Sequence, residues 1–333
     1  MKLLNCPNCS TLLYFENYNC LTCNTQVGFD IDSFNFVNLT LLPPQSICLN
    51  RQSTGCNWVN NNNNNTFCQS CNLTNRRPDI NDLDNFSKYA LLEKAKRRLI
   101  YQLYNFGLPL ISKKINFKSG LEFDFINANN TQGIMTGHHS GTITILLNEA
   151  DSVKREQLRK QMSEPYRTLV GHFRHEIGHY YWNIILDEHN LDQFRNLFGD
   201  ERRDYSKALA LYYENGAPDN WSYNYISKYA SSHPLEDWAE SWAHYMHIMD
   251  MLETAHACGI SLSPTIGNPD GKSYSYNDPY QKSDFNKLYN KSKVLTNGIN
   301  NLNRSMGIPD IYPFAVPDAA YDKLNYIHQL VML

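Results

Sequence analysis

Residues 168–186 read TLVGHFRHEIGHYYWNIIL, and the pentad His175-Glu176-Ile177-Gly178-His179 inside them decides the fold. Two histidines four apart lie one above the other on a helix, because a turn takes 3.6 residues. Both imidazoles then reach one metal ion, with Glu176 beside them to handle the proton of a water held there. Leu169, Phe173, Ile177, Tyr180, Tyr181 and Ile184 recur at helical spacing, which predicts a buried helix under the motif. A core helix carrying two chance histidines is the bland alternative. It leaves Glu176 buried without a partner, at a cost on the order of several kcal/mol. The pattern predicts a zinc site.

The cysteines point to metal as well. Eight of the nine precede residue 72: Cys6, Cys9, Cys20, Cys23, Cys48, Cys56, Cys68 and Cys71. Three pairs are C-x-x-C, an arrangement that in a reducing compartment means metal rather than disulfides. Cys6, Cys9, Cys20 and Cys23 form two knuckles for one structural zinc, and Cys48, Cys56, Cys68 and Cys71 form a second quartet with an irregular first pair. An interleaved pairing of these knuckles stays open. Residues 1–79 are therefore expected to be a zinc-ribbon domain, with residues 80–333 forming a second domain. The polar tract at residues 60–65 reads as an exposed loop tip, and the lone Cys258 as a small buried hydrophobe.

Composition narrows the function classes. The 333-residue chain is 42% hydrophobic and 19% charged, with a net charge of −3. It has no global basic field for nucleic acid and no apolar run long enough to span a membrane. Trp58, Arg51, Arg76 and Arg77 suggest nucleic acid in isolation. Yet residues 1–78 hold four basic residues (Lys2, Arg51, Arg76, Arg77) against three acidic ones (Glu16, Asp30, Asp32). That is no electrostatic footprint. The N-terminus lacks an apolar signal core, so the expected location is the cytoplasm. Oligomeric state is not readable.

Between the ribbon and the motif, Leu91, Leu92, Ala95, Leu99, Leu103 and Phe106 predict a helix whose Lys94, Lys96, Arg97 and Arg98 form a solvated face. Residues 121–126 and 142–147 predict strands, the second as an edge strand on which a peptide can align. His138 in the loop between them is a substrate-contact candidate; His139 has no assigned role. Residues 154–162 predict a charged helix and Pro165 a break. Beyond the motif, His233-Pro234 opens a further helix, where Glu236, Glu240, His244 and His247 share one face and Trp238, Trp242, Tyr245 and Met249 another. Residues 285–302 and 319–330 predict two more helices.

A catalytic zinc needs three protein ligands and an open position. Trp182 and Ile185 stand where a metzincin has its glycine and third histidine, which excludes that class. Two carboxylates then compete for third ligand: Glu201, which otherwise reads as a surface charge, and Glu236.

Tyr229, six residues and then Glu236-Asp237-Trp238-Ala239-Glu240 resemble the motif of lethal-factor-like gluzincins. That resemblance implies Glu236 as third zinc ligand, Tyr229 as oxyanion donor and Glu240 as a carboxylate orienting a ligand; His244, on the same helix face, is a further candidate to stabilise the oxyanion. More widely, the ribbon, GHFRHEIGHYYW, LFGDER, YYENGAP, EDWAESWAHY and IYPFAV resemble the bacterial zinc-binding metallopeptidases that carry a ribbon domain. The expectation is an α+β, mainly α chain with a zincin-like metallopeptidase domain after the ribbon. It takes one catalytic and two structural Zn2+ ions, and its substrate is a peptide or protein. The rival class is a zincin-fold protein that no longer turns over and serves as an interaction module. It has no use for the base Glu176.

Overall fold

The computed structural model describes the chain except residues 1, 62–65, 128–134, 162–167, 267–269 and 333. The architecture is α+β and mainly helical, in two compact units, Met1–Lys160 and Gln161–Leu333.

In the first unit, β1 (Leu4–Asn5) and β2 (Leu12–Leu13) pair across the first cysteine knuckle, and β3 (Val27–Asp30) pairs with β4 (Asn35–Asn38). Helices α1 (Asn50–Thr54) and α2 (Gln69–Asn72) carry the second cysteine group toward α3 (Leu83–Asn105). Asp82 caps α3 by accepting from the backbone of Asp84 and Asn85. Aromatic rings fill the ribbon: Phe15, Phe29 and Trp58 pack together, with Tyr101 of α3 among them. Trp58 is buried, and the guanidinium of Arg51 lies 3.4 Å from the Tyr18 ring centroid while bonding the Val27 and Tyr18 carbonyls. Both residues are engaged in the ribbon's own packing.

The basic run on α3 is the solvated face expected only in part, at exposed Lys94 and half-buried Arg98. Lys96 and Arg97 are buried, as is Glu93. Lys96 Nζ donates to Glu93 Oε1 at 2.9 Å. Burial works against charge on Arg97, but the sulfurs of Cys56 and Cys71 and the Glu93 carboxylate outweigh it and keep the guanidinium charged. Negative neighbours drew these cations inward. Leu91, expected inside, is exposed.

A second correction concerns the sheet. Here β5 (Thr74–Arg76), β6 (Glu122–Ile126), β8 (Thr142–Leu146) and β7 (Gly137–His139) lie in that order. β8 pairs in parallel with β6 and antiparallel with β7, so its backbone is occupied on both sides and it offers no edge to a peptide. His138 and His139 sit on β7, not in a loop. His138 Nε2 accepts from the Gly141 amide at 3.0 Å and closes the β7–β8 turn. Asn60 is buried against the Gln45 carbonyl, so the tract starts inside rather than at a tip; its residues 62–65 and Pro165 lie outside the described residues. Helix α4 (Ser152–Gln161) ends the unit.

The second unit is built on α5 (Leu169–Ile185) and α9 (Pro234–Ala257). Gly178 brings them together. A Cβ there would sit 3.1 Å from Ala239 Cα and 3.1 Å from Trp242 Cβ. Without one, Trp238 Nε1 reaches the Gly178 carbonyl at 2.8 Å. Trp242 stacks on Tyr181, and Trp238 packs on Phe194 and Phe198 of α6 (Glu188–Phe198). Arg174 of α5 pairs with Asp250 of α9 at 2.5 Å. After α7 (Tyr205–Asn215) and α8 (Trp221–Asn224), the chain enters α9, then β9 (Ser261–Leu262) and β10 (Tyr274–Ser275), which pair, and finally α10 (Phe285–Ser305) and α11 (Asp318–Val331). Buried Asp237 and Lys323 tie α9 to α11 at 2.6 Å.

Two side-chain expectations also change. Cys258 caps the C-terminus of α9 and is exposed, because the chain turns away there through Gly259 at φ +63°. Glu201 is not a free surface charge: Arg195 grips both of its oxygens, at 2.6 and 3.0 Å. No helix among the described residues is long and apolar enough to cross a membrane.

Candidate metal centres

Cys6, Cys9, Cys20 and Cys23 come together as one group, and Cys48, Cys56, Cys68 and Cys71 as another. Sulfur–sulfur separations are 3.6 Å for Cys6–Cys23 and 3.5 Å for Cys9–Cys20. In the second group they are 3.7 Å for Cys56–Cys68 and 3.6 Å for Cys56–Cys71. Disulfide sulfurs stand about 2.05 Å apart. A zinc ion about 2.3 Å from four tetrahedral thiolates keeps them about 3.8 Å apart. The donor sets fit zinc, grouped consecutively rather than interleaved. The second group is entirely buried, whereas Cys9 is exposed.

The third cluster joins α5 to the start of α9. His175, His179 and Glu236 offer ligand atoms within 4.8 Å of one another. The two Nε2 atoms are 3.2 Å apart, and His175 Nε2 lies 3.0 Å from Glu236 Oε2. Donors about 2.0 Å from a tetrahedral ion would be about 3.3 Å apart. Protonation logic supports the same fit. Glu240 Oε1 is 2.8 Å from His175 Nδ1, so that nitrogen carries the proton and Nε2 presents a lone pair. Glu236 Oε2 is buried and accepts no hydrogen bond. Donor atoms converging in a buried space call for positive charge between them, a metal ion or a proton.

Electrostatics set the competition at the site: burial disfavours charge on His175, but Glu236 and Glu240 outweigh it and hold its pKa well above the ordinary histidine value, so a metal ion at Nε2 displaces a proton there. Burial opposes ionisation of Glu236 too; the histidines prevail and push its pKa well down. Glu176, also buried, is held ionised against desolvation by the hydrogen bond to His172 and by the charge of His175. His172 Nε2 lies 3.4 Å from Glu176 Oε1.

The remaining candidates fall at different depths. Glu240 bridges His175 and Ser227, whose hydroxyl donates to Oε2 at 2.6 Å. The Tyr229 ring is centred 6.0 Å from that of His175, and its hydroxyl makes no hydrogen bond among the described residues. His244 touches no ligand: its Nδ1 meets the Tyr312 hydroxyl at 2.7 Å, and burial brings its pKa down to about 4. Glu201 stands apart with Arg195. Four residues absent from the sequence reading adjoin the cluster or its supports: His172, Tyr205, Ser227 and Tyr312. Only His172 had a local signal, four residues before Glu176 on the same helix face. Tyr205, whose hydroxyl reaches Glu236 Oε1 at 2.5 Å, lies 31 positions from its partner.

Comparison with known proteins identifies the family. Residues 85–330 match the family described as "Putative zinc-binding metallo-peptidase", and residues 3–82 match a zinc-ribbon domain. Uncharacterized proteins of Mycobacterium bovis and Mycobacterium tuberculosis are 40% identical over 335 residues, covering 99% of this chain and 95% of theirs. No solved structure matches the chain. With cysteine quartets in the ribbon region and a His-His-Glu cluster in the region of the longer match, the chain belongs to this family of zinc-binding metallopeptidases, its peptidase region preceded by a zinc ribbon.

Proposed function

We propose that the protein is a gluzincin-type zinc peptidase acting on a peptide or protein in the cytoplasm, with its functional division at residues 79/80. His175, His179 and Glu236 hold the catalytic ion, and the two cysteine quartets hold structural ions. One observation carries this reading: ligand atoms of His175, His179 and Glu236 converge within 4.8 Å of one another, and an ionised carboxylate, Glu176, adjoins them.

When bound, zinc supplies Lewis acidity, polarising a carbonyl and bringing the pKa of water towards about 7. Glu176 takes the proton of the attacking water and passes it to the leaving amine as the C–N bond breaks. His172 keeps that carboxylate charged and aimed. Tyr229 donates to the oxyanion. Burial, then the nearby Glu236, push its phenol pKa far up, so it keeps its proton, and its hydroxyl is uncommitted among the described residues. Glu240 fixes the His175 tautomer, and Ser227 steadies Glu240. His244, neutral and committed to Tyr312, supports α9 rather than the oxyanion.

The test is hydrolysis of a mixed peptide library by the zinc-loaded full chain, its Glu176→Gln variant and a chelated sample. Cleavage by the first alone supports the reading. Equal cleavage by Glu176→Gln overturns the mechanism. Three bound zinc ions with no cleavage would favour an inactive interaction module.

A further inference from the structure

The two oxygens of Glu236 keep different company. Oε1 accepts the Tyr205 hydroxyl at 2.5 Å and stands 3.5 Å from His179 Nε2, whereas Oε2 accepts no hydrogen bond and approaches closer, 3.0 Å from His175 Nε2. We propose that Tyr205 is a positioning residue that makes Glu236 a one-oxygen ligand, holding Oε1 back so that Oε2 alone meets the catalytic ion. The proposal rests on the assignment of His175, His179 and Glu236 as ligands.

The chemistry runs from the carboxylate outward. A phenol donating to an ionised carboxylate makes a short, charge-assisted bond, stronger than its neutral counterpart. Binding the ion through Oε1 as well would compete with that bond. A two-oxygen carboxylate would also take coordination space that a catalytic site leaves open for water and substrate. One hydroxyl therefore protects the open position.

Tyr205 is not there merely to fill a core. Its side chain belongs to a residue 40% exposed, while Glu236 is 1% exposed. The placement comes from the backbone. Asp204 caps α7 by accepting from the Lys207 amide, which sets Tyr205 on the first turn. His233 caps α9 through Nδ1, which accepts from the Leu235 amide, leaving Nε2 to donate to the Arg203 carbonyl at 3.1 Å. The His233 and Tyr205 rings meet edge to face at 5.1 Å. One histidine thus ties the approach to α7 to the start of α9, and phenol and carboxylate are brought together by two anchored helix ends.

A neighbouring phenol supplies the contrast. Tyr229 also approaches the cluster, but its hydroxyl has no hydrogen-bond partner among the described residues. Tyr205 serves the ligand; Tyr229 remains available to substrate.

The experiment compares the full-length wild type, Tyr205→Phe and Tyr229→Phe by zinc competition with a chelator and by visible absorption after cobalt replaces the catalytic zinc. Circular dichroism and the zinc content of the cysteine quartets verify folding. Tyr205→Phe is expected to weaken metal binding at the histidine site by about 10- to 100-fold. Its cobalt bands should weaken and shift as a second carboxylate oxygen joins the ion. Tyr229→Phe should leave affinity and spectrum as in wild type. A folded Tyr205→Phe protein with wild-type affinity and spectrum overturns the proposal while leaving the ligand assignment standing. Equal changes in both variants also overturn it. A wild-type chain that binds no ion at His175, His179 and Glu236 overturns the ligand assignment and the proposal together.

Discussion

The cysteine quartets and the histidine–carboxylate cluster solve the same problem in opposite ways. Each quartet gathers four like donors from short turns, its sulfurs spaced 3.5–3.7 Å where the structure gives them. The ribbon has an aromatic core around Phe29 and Trp58, but its strands are only two to four residues long, so metal adds to a core too small to hold the turns alone. The histidine cluster takes its donors from two long helices already locked by Gly178, Trp238, Trp242 and the Arg174–Asp250 pair. There the scaffold exists first, and three donors would leave an ion a coordination position open. Metal should therefore be a folding requirement in one unit and a chemical reagent in the other.

Cys68→Ser tests that contrast at its strongest. Cys68 is fully buried in the second quartet. Structural zinc contributes on the order of 10 kcal/mol to such folds. The variant should lose one zinc equivalent, and the first unit should become sensitive to limited proteolysis. A variant with the zinc content and protease resistance of wild type would refute the claim that the core there needs metal.

The reciprocal substitution is Glu176→Gln. Removing a general base costs roughly 100- to 10,000-fold in rate. Since Glu176 is not a ligand, the variant should retain all three ions and its fold. Turnover on the library, read beside zinc content, separates this outcome from metal loss. If the second unit melts with the variant, its scaffold is less independent of the site than its packing implies.

Acid exposes a further difference, because the second unit buries titratable groups inside its scaffold. Burial lowers the His244 pKa to about 4, against the pull of Glu240. In the unfolded chain the value is about 6.5. As pH falls below about 6.5 the unfolded state takes up this proton first, so stability is lost progressively until about pH 4 and no further from this group. The full effect is on the order of 3 kcal/mol. Thermal melts at pH 7 and pH 4.5 should show a smaller loss in His244→Gln than in wild type. Because both proteins carry the same thiolates, the difference isolates His244; an identical loss in both would refute its role.

The same contrast explains what was legible in sequence. The quartets and the His175–His179 pair are local, a few residues or one helical turn apart, so spacing alone makes them visible. Glu236 was one of two carboxylates open on spacing; resemblance singled it out, and the fold brings it to the histidines while Arg195 holds Glu201 elsewhere. Tyr205 and Ser227 are polar residues in unremarkable contexts, brought to their partners by tertiary packing across 31 and 13 positions. Lys96 and Arg97 misled for a related reason. Charge normally means exposure; Glu93, one turn back on α3, pairs with Lys96 inside, and only the assembled ribbon brings the cysteine sulfurs to Arg97. The strand at 142–146 was visible, but its place between β6 and β7 was not, because pairing order depends on residues far away in the chain.

The smallest expected effect probes how far the preorganisation of the histidine site extends. Ser227 donates to Glu240 Oε2, and Glu240 Oε1 takes the His175 Nδ1 proton, so Ser227 is two hydrogen bonds from the ion's ligand atom. Ser227 also accepts from the Ala230 amide, fixing the turn ahead of α9. Direct partners of a ligand typically matter by about 10- to 100-fold, and a residue one link further out should matter by roughly 10-fold or less. Ser227→Ala should weaken zinc at the histidine site within that limit and leave the thiolate ions untouched, as read by chelator competition. A loss as large as that from Glu240→Ala would mean that Glu240 depends on the serine for its position. No loss would mean that the carboxylate is held by α9 alone and that the support of this site ends at Glu240.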